Sequence, residues 1–412
     1  MKKVLVELYD ADMSENLISL SLREYDRVMF LCFSENGPST RIRSLLQSVI
    51  RRRIGIETDF WEVRERSVDA AYSTLKALIK GEAHYCIDLT GGDELFIAAV
   101  GMLIKEHGSA GGAAGQNAPR TTFSVHSCRI PARREELHFG RFPDAPGKPP
   151  ALTFSDVIAL NGGKMLEEGG AEPDTTPEML RQEIIQLWHA LRDLPTEWNR
   201  FCSLPYVEGT LPDEKGRISR RFSKSDDAAV SERVMQRLSK RGFISSYRID
   251  GSELRYVLSE KAHTRNLYLM AGTVLEMYTA LAATDTGLFR ECHTEVLLDY
   301  DGVVSGKPAD PVNELDVTLM YGILPVLISC KNTTVTKEFL YEIRTMADHF
   351  GGRYAVAMMV SSRETPEPVR ERAKEMGVEL VDNVQDLTLS EFRAAIRGVF
   401  ASIAGGKETI SK

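Results

Sequence analysis

The stretch NELDVTLMYGILPVLISCKNTTVTKEFLYEIRTMADHFGG, from Asn313 to Gly352, decides the fold of the C-terminal third of the chain. It predicts a strand, a tight turn, a second strand and then a helix. Because strand side chains alternate between two faces, the first strand has one polar and one apolar face. The polar face carries Glu314, Asp316 and Thr318, and the apolar face carries Leu315, Val317 and Leu319.

The turn between these two strands fixes their register. Gly322 supplies the positive φ that begins a two-residue type II′ turn with Ile323. Tyr321 then pairs with Leu324, and every other cross-strand pair follows from this one by counting.

Counting back places Asp316 opposite Ser329, and Glu314 opposite Lys331, on the face that carries Asp316. A carboxylate holds a hard divalent ion through oxygen. The ion activates water and neutralises charge on a phosphate, while a lysine orients the water or the phosphate. The pattern predicts metal-assisted phosphodiester cleavage. The competing interpretation is an ordinary cross-strand ion pair beside a solvated acid.

These residues resemble the PD-(D/E)xK nuclease core. Asp316 corresponds to its first acid, Ser329-Cys330-Lys331 to its acid-x-Lys triad, and Glu276 to its preceding helical acid. Ser329 departs from the family, and members with Ser there move the acid to the following helix. Glu338 and Glu342 share a helix face because they are four residues apart, and Glu342 is favoured.

The resemblance implies both a catalytic set and a metal site for Mn²⁺ or Mg²⁺. The catalytic set is Glu276, Asp316, Lys331 and Glu342. The implied metal ligands are Asp316, Glu276, Glu314 and Glu342.

The composition limits the cellular location and the binding partners that we expect for this protein. A net charge of −8 over 412 residues excludes a general basic coat for nucleic acid, so nucleic-acid contacts must come from a local patch or from bridging metal ions. The six cysteines show no zinc-ligand spacing. We expect a cytoplasmic protein with no membrane partner, because no secretory signal or long apolar run is visible.

Strands alternate with helices in the N-terminal third, which predicts a Rossmann-like parallel sheet covered on both faces. Ligands of such sheets bind beyond the carboxyl ends of the strands. Three loops are expected there, Asp10–Asn16, Ser34–Ser39 and Asp88–Glu94. In the last, glycines allow close backbone approach, and the following helix start offers free N–H groups to phosphate.

This last loop resembles the Asp-x-Thr-Gly-Gly-Thr-Lys signature of the CARF domain of CRISPR-associated proteins. Asp88, Thr90, Gly91 and Gly92 match it, whereas Asp93 and Glu94 replace its Thr and Lys. The alternative is a generic strand-to-helix turn. The predicted activator-binding residues are Asp10, Met13, Ser14, Ser34, Thr90, Gly91, Gly92, Asp93 and Glu94.

The middle of the chain predicts a winged helix, because a helix over 226–240 precedes a hairpin with an Asp250-Gly251 turn. Such a unit commonly serves as a dimer or linker module. A second interpretation is phosphate contact by its basic residues, which include Arg220, Lys240 and Arg241.

The whole chain therefore resembles the CARF nucleases of type III CRISPR systems. The expected fold class is α/β, with a Rossmann-like CARF domain (1–150), a linker and winged-helix-like region (151–262) and a restriction-endonuclease-like domain (263–412). The resemblance implies a homodimer that binds a cyclic oligoadenylate, usually cyclic tetra-adenylate, and then cleaves RNA or DNA non-specifically in antiviral defence.

Two alternatives remain at this point. One is a ligand-responsive transcription regulator with a degenerate nuclease domain, which Ser329 favours and the combination of Glu276, Asp316 and Lys331 disfavours. The other is a constitutive repair nuclease, which the separate ligand domain disfavours. If the activator controls the nuclease, we expect the middle domain to transmit the signal.

Overall fold

The computed structural model describes residues 1–80, 83–109, 122–130, 134–142, 152–169, 178–207, 216–262, 265–302 and 312–405. Within these ranges the chain forms two six-stranded sheets and one three-stranded sheet, with helices packed between and around them. The predicted boundary at 150 lies outside the described residues. Within the same ranges, no helix is long and apolar enough to cross a membrane.

The N-terminal sheet has the order β3-β2-β1-β4-β5-β6, in which β1 to β5 are parallel and β6 is antiparallel. Its elements are β1 (Lys2–Leu8), α1 (Met13–Leu22), β2 (Arg27–Phe33), α2 (Thr40–Arg53), β3 (Glu57–Val63), α3 (Val68–Leu78), β4 (Ala83–Asp88), α4 (Glu94–Ser109), β5 (Thr122–Arg129) and β6 (Arg134–Phe139). Helices cover both faces, so the central strands read as continuous apolar runs. This confirms the predicted Rossmann-like arrangement.

In its described residues, the middle unit contains three helices and the antiparallel sheet β8-β10-β9. It follows α5 (Phe154–Leu160) and β7 (Lys164–Gly169), and its elements are α6 (Glu178–Leu191), α7 (Pro195–Cys202), β8 (Arg217–Arg221), α8 (Asp227–Arg241), β9 (Ile244–Asp250) and β10 (Glu253–Leu258). The hairpin turns one residue later than predicted, at Gly251-Ser252, because Asp250 still pairs with Glu253. Gly251 has the positive φ, 58°, that begins this turn.

Arg220 corrects one expectation for this unit. Its side chain is fully buried, where it donates to the carbonyl oxygens of Cys202 and Leu204 and lies against the rings of Phe201 and Tyr206. Arg220 therefore stabilises the interior of the unit, and its side chain is not accessible to a phosphate.

The C-terminal sheet has the order β15-β14-β13-β12-β11-β7. Its elements after the middle unit are α9 (Thr273–Thr284), β11 (Cys292–Asp299), β12 (Val312–Tyr321), β13 (Leu324–Lys331), α10 (Lys337–Gly351), β14 (Val356–Ser361), α11 (Glu367–Glu375), β15 (Val378–Val381) and α12 (Leu389–Ala404). The predicted order α-β-β-β-α-β is present as α9 to β14. The helix expected from Asn266 begins only at Thr273, because a short 3₁₀ turn over Arg265–Tyr268 precedes it.

The strand β7 joins this sheet from before the middle unit. It pairs antiparallel with β11, with Lys164 opposite Asp299. It lies within the 151–262 stretch assigned to a linker and winged helix, so no sequence pattern had indicated it as a partner of the C-terminal strands. The division at 262 stays a prediction, but residues 164–169 complete the C-terminal sheet.

The hairpin β12–β13 has the predicted turn and, near the turn, the predicted register. The predicted pairs Asp316–Ser329 and Glu314–Lys331 are not part of the ladder, which ends before them. Tyr321 pairs with Leu324, and the ladder continues to Val317 opposite Ile328. Gly322 has a φ of 69°, and Ile323 is not among the residues with positive φ, as a type II′ turn requires.

Helix α1 connects the N-terminal sheet directly to the C-terminal domain. Every residue from Met13 to Ser21 is buried. The cap residue Asp12 accepts the backbone N–H of Arg353 at 2.7 Å, and Glu15 accepts the hydroxyl of Tyr354 at 2.7 Å. The apolar cluster around α1 also includes Leu324, from the C-terminal hairpin. The middle unit is therefore not the only route between the outer domains.

Glu15 predicts a pH dependence of stability. Burial raises its pKa from 4.5 to about 7, and the charges of Asp10 and Asp12 add to this, while Tyr354 and Arg353 oppose it; Glu7 is a further buried acid nearby. The native state therefore binds one more proton than the unfolded state between these pH values. This contribution to stability is complete below about pH 4.5 and is lost as the pH rises through about 7.

We expect Glu15→Gln to keep an acceptor for Tyr354 and to remove about 1–2 kcal/mol of the decline in stability between these pH values. Urea unfolding at pH 5 and pH 8 measures the change. Glu24→Gln, at an exposed acid just beyond α1, is the control and should leave the decline unaltered. An unchanged decline in Glu15→Gln would contradict the assignment.

Candidate active site

The hairpin opens at the end that carries the candidate residues. Its ladder stops at Val317 and Ile328. Beyond that point the carboxylate of Asp316 accepts the backbone N–H of Cys330 at 2.5 Å and the hydroxyl of Ser329 at 3.2 Å. The side chain thus replaces a strand carbonyl as acceptor, which holds Asp316 in one place while the strands separate. The predicted proximity of Asp316 and Ser329 is present.

The predicted alternation of faces fails in this region. Val317 and Leu319 pack in the core beside α9, as expected, but Leu315 packs in the opposite core beside α10. The inversion lies opposite Glu295, which has a φ of 53° inside β11. Strand β11 changes face at the same level, since Cys292 packs beside α9 whereas Val296 and Leu298 pack beside α10. The positive φ of Glu295 turns the backbone of β11 there, and β12 follows the strand with which it pairs. Strict alternation does not hold across a residue with positive φ.

Glu295 is an acid that sequence reasoning missed. The pairs Thr294–Val317 and Val296–Leu315 bracket it directly opposite Asp316. Burial raises the pKa of Glu295, and the charge of Glu314 raises it further. The available signal was a charged residue inside an otherwise apolar strand. Its left-handed backbone conformation could not be predicted from sequence, because this conformation is rare for residues other than glycine.

Glu276 faces the same group of acids from the first turn of α9. Burial raises the pKa of Glu276 to about 8, and the charges of Asp316, Glu295 and Glu314 contribute in that order. Lys331 opposes this shift. Helix α9 and the strands β11 and β12 therefore bring these carboxylates close enough for mutual repulsion.

Asp316 and Lys331 form the centre of this group. Burial raises the pKa of Asp316, while Lys331, the N–H of Cys330 and the hydroxyl of Ser329 lower it. The ammonium group of Lys331 lies 5.0 Å from the centre of the Phe339 ring, which favours one position for it. A lysine and a fixed carboxylate thus meet at the open end of the hairpin.

The two helix acids differ in their surroundings. Glu338 accepts a hydrogen bond from the side chain of Thr336, which lowers its pKa and ties it to the helix start. The charge of Glu342 instead raises the pKa of Asp316. Both side chains are exposed. The electrostatic link to Asp316 is therefore seen for Glu342 and not for Glu338.

The chemistry of this donor set suits a divalent cation. No three of these acids have ligand oxygens within 4.8 Å of one another, so they would have to draw together around the ion. Carboxylate oxygens are the ligands that Mg²⁺ prefers, and Mn²⁺ accepts them as well. Burial raises the pKa of Glu276, and repulsion from the neighbouring acids raises it further in the absence of a cation. Glu276, Asp316 and Glu342 would hold such an ion, with Glu314 and Glu295 beside them.

The predicted sensor residues lie at the carboxyl edge of the N-terminal sheet. Gly92 has a φ of 93° and donates its N–H to Asp10 at 3.0 Å. A side chain at Gly92 would collide with Leu8, and one at Gly91 would collide with Glu15 and Asp10. Both glycines are thus required by the protein's own packing, so their substitution does not test ligand approach alone.

Other sensor candidates differ in accessibility. Met13 and Ser14 are buried in the first turn of α1, where a loop was expected. Ser34, which directly follows β2, donates its backbone N–H to the carbonyl oxygen of Val63 at the end of β3. Thr90 donates its backbone N–H to Asp88 at 2.8 Å and its hydroxyl to the same oxygen.

Arg66, which the sequence analysis did not select, contacts both acids that replace the Thr and Lys of the signature. Its guanidinium group lies 2.8 Å from Asp93 and 3.1 Å from Glu94. A cation is therefore present at this edge, although it comes from another loop. Asp93 also accepts the N–H of Leu95 at the start of α4.

Asp88, His126 and Cys128 have ligand atoms within 4.8 Å of one another beneath this loop. All three are buried, and the hydroxyl of Ser19 lies among them, 2.9 Å from His126 Nε2 and 3.3 Å from Cys128 Sγ. It also hydrogen-bonds to Asp88. The hydroxyl of Ser19, with one donor and two acceptor positions, pairs with all three of these ligand atoms without an ion. Nδ1 of His126 is buried and has no hydrogen-bond partner among the described residues.

No protein-family model and no curated protein matches the sequence. Solved structures match over nearly the whole chain. One is protein VC1899 from Vibrio cholerae, with a TM-score of 0.70, 17% identity, and coverage of 98% of this chain and 99% of that one. Another is Can2 from Sulfobacillus thermosulfidooxidans in complex with cyclic tetra-adenylate, with a TM-score of 0.63, 14% identity, and coverage of 97% and 99%. At these identities the likeness shows the fold, and it confirms the predicted fold class.

Proposed function

We propose that this protein is a metal-dependent nuclease activated by a cyclic oligoadenylate, and that it acts in type III CRISPR defence. The observation that carries the proposal is the meeting of Glu276, Asp316 and Lys331 at the open end of one hairpin. The similarity to Can2 over both chains supports the same class of function. RNA and DNA both remain substrates to test.

The residues of this site have distinct roles in the proposed reaction. A bound Mn²⁺ or Mg²⁺ would supply a more acidic water and would neutralise phosphate charge. Asp316 is held by the N–H of Cys330, so its free oxygen keeps a fixed direction. Lys331 would orient the attacking water or the phosphate. The proposed metal ligands are Glu276, Asp316 and Glu342, with Glu314 as a further acid.

The retained site disfavours the alternative of a regulator with a degenerate nuclease. Ser329 lacks a carboxylate, but its hydroxyl contacts Asp316, and the charge of Glu342 acts on the same acid. The buried acid Asp316 is also still within electrostatic reach of Lys331, which is not expected of a degenerate site.

The proposed activator is cyclic tetra-adenylate, the ligand in the Can2 complex. It would bind at the carboxyl edge of the N-terminal sheet, near Thr90–Glu94, Asp10 and Ser34. Ligand can shift a pre-existing equilibrium only by its differential affinity for the two states. The contacts of α1 with Arg353 and Tyr354 offer a direct path for this shift.

A homodimer is part of the same proposal. Helix α4 begins directly after the sensor loop and exposes an apolar strip of Ile97, Ala98, Gly101 and Met102. An isologous contact through this strip would place two equivalent loops beside a twofold axis. A symmetric cyclic ligand suits that position.

We expect Asp316→Asn to lower metal-dependent cleavage at least about 10³-fold, since the metal contributes several kcal/mol to the transition state. Asn still offers an oxygen to the N–H of Cys330, so folding and activator binding should persist. Cleavage of labelled RNA and DNA with Mn²⁺ or Mg²⁺, with and without cyclic tetra-adenylate, is the measurement. Normal turnover would refute the site, and full activity without activator would refute gating.

The helix acids form a matched pair for a second prediction. Glu342→Ala should lower cleavage about 10- to 100-fold, the range seen when metal-site partners are removed. Glu338→Ala should leave cleavage near the original rate and cost only the bond with Thr336. Equal effects of the two variants would contradict the role given to Glu342.

The dimer prediction concerns the apolar strip on α4. Met102→Glu should give a monomer in sedimentation velocity, because two copies would bring like charges together at the axis. Met179→Glu, at an exposed methionine on α6, is the control and should remain dimeric. A dimeric Met102→Glu protein, or a monomeric original chain, would overturn this interface.

A further inference from the structure

A polar cavity of about 410 Å³ lies between the middle unit and the C-terminal sheet. Four basic side chains line it. His189 lies on α6 and Arg192 directly follows that helix. Arg237 lies on α8, and Arg363 lies in the loop after β14. Three guanidinium groups from separate elements thus meet in one space.

The cavity is electropositive. Arg237 is neutralised by Asp193 at 2.8 Å, and Arg192 donates to the carbonyl oxygen of Leu387 at 3.2 Å. Within the described part of the chain, the guanidinium group of Arg363 has no hydrogen-bond or ion-pair partner. Burial lowers the pKa of His189, and the positive charges of Arg192 and Arg241 lower it further. The other acid that lines the cavity, Asp386, accepts a hydrogen bond from Asn383.

This cavity lies at the same end of the sheet as the candidate active site. Lys331 on β13 pairs with Ser361 on β14, and the N–H of Ser362 donates to the carbonyl oxygen of Lys331 at 3.1 Å. Arg363 is the next residue. Because neighbouring strands are about 4.8 Å apart, the cavity begins roughly 5–10 Å from the backbone of Lys331.

The middle unit forms the opposite wall of this path. Asn199 on α7 donates to the carbonyl oxygen of Asn332 at 2.8 Å, and Asn332 donates back to Asn199 at 2.9 Å. Asn332 directly follows Lys331. The unit is thus attached beside the candidate lysine, and α6 and α8 line the next part of the path.

We propose that this cavity binds backbone phosphates of the nucleic-acid strand whose scissile phosphate lies at Lys331. Guanidinium groups match phosphate because their planar donors bind two oxygens at once. The inference rests on the proposed nuclease function and adds a role for the middle unit, in which Arg192 and Arg237 complete a substrate path across the sheet end. Phosphate contacts carry no base preference, which suits a non-specific enzyme.

The test measures binding without cleavage. Asp316→Asn protein, in EDTA with cyclic tetra-adenylate, is titrated into fluorescein-labelled oligo-dT or oligo-U longer than the ~16 nucleotides that a single-strand-binding module covers. Arg363→Ala and Arg363→Glu are added to this background. Arg248→Ala, at an exposed arginine on β9 that forms an ion pair with Asp250, is the matched control.

Loss of one phosphate contact lowers the slope of log affinity against log salt by about 0.7 for a single strand. The deficit of Arg363→Ala should therefore shrink about 2.6-fold between 50 and 200 mM salt, equally on both oligonucleotides. Arg363→Glu should bind more weakly still, and Arg248→Ala should match its parent.

The outcomes separate the two claims. If the Asp316→Asn parent binds neither oligonucleotide, the nuclease proposal fails and this inference fails with it. If the parent binds and Arg363→Ala matches Arg248→Ala, only the phosphate site is overturned. A deficit that does not change with salt also overturns it, and thermal melting of each variant identifies damage to the fold.

Discussion

The burial of α1 between two domains is the constraint on which this architecture depends. The helix covers one face of the N-terminal sheet, and its other sides meet the C-terminal hairpin and the start of β14. Ser19 fixes it to β4 and β5 through Asp88 and His126. A helix with no exposed side cannot shift without disturbing both neighbours, because protein interiors are close-packed. Events at the sensor edge and at the C-terminal domain are therefore mechanically linked.

The C-terminal site depends on a local departure from regular β-structure. A left-handed residue in β11 and an acid in β12 that accepts a backbone N–H interrupt two neighbouring ladders at the same level. Left-handed backbone for a residue such as Glu295 costs of order 1–3 kcal/mol. The surrounding sheet, which is apolar on both faces, holds this geometry in place. This strain in the backbone of Glu295 is consistent with a functional site, because it orients the carboxylate towards the neighbouring acids and away from solvent.

The features that were predicted correctly from sequence are those that depend on neighbouring residues in the chain. Gly322 set the hairpin register, and apolar periodicity set the Rossmann-like order of the N-terminal elements. The sequence did not predict β3, because its exposed edge position leaves it with a largely polar pattern. It did not predict the inversion at Leu315, because the backbone of Glu295 is determined by its partner strands. The roles of Arg66 and Arg363 also depend on tertiary approach, since neither belongs to a motif.

The placement of β7 has a consequence for how the chain is divided and synthesised. The middle unit is inserted into the C-terminal domain, because β7 precedes it and β11 follows it in the same sheet. A ribosome would release β7 long before its partner strand, so that sheet closes late. A fragment that begins at residue 263 would leave the edge of β11 uncovered, and open edges template association between chains. Truncation at the apparent domain boundary would therefore favour aggregation, whereas a cut before α5 would keep the sheet whole.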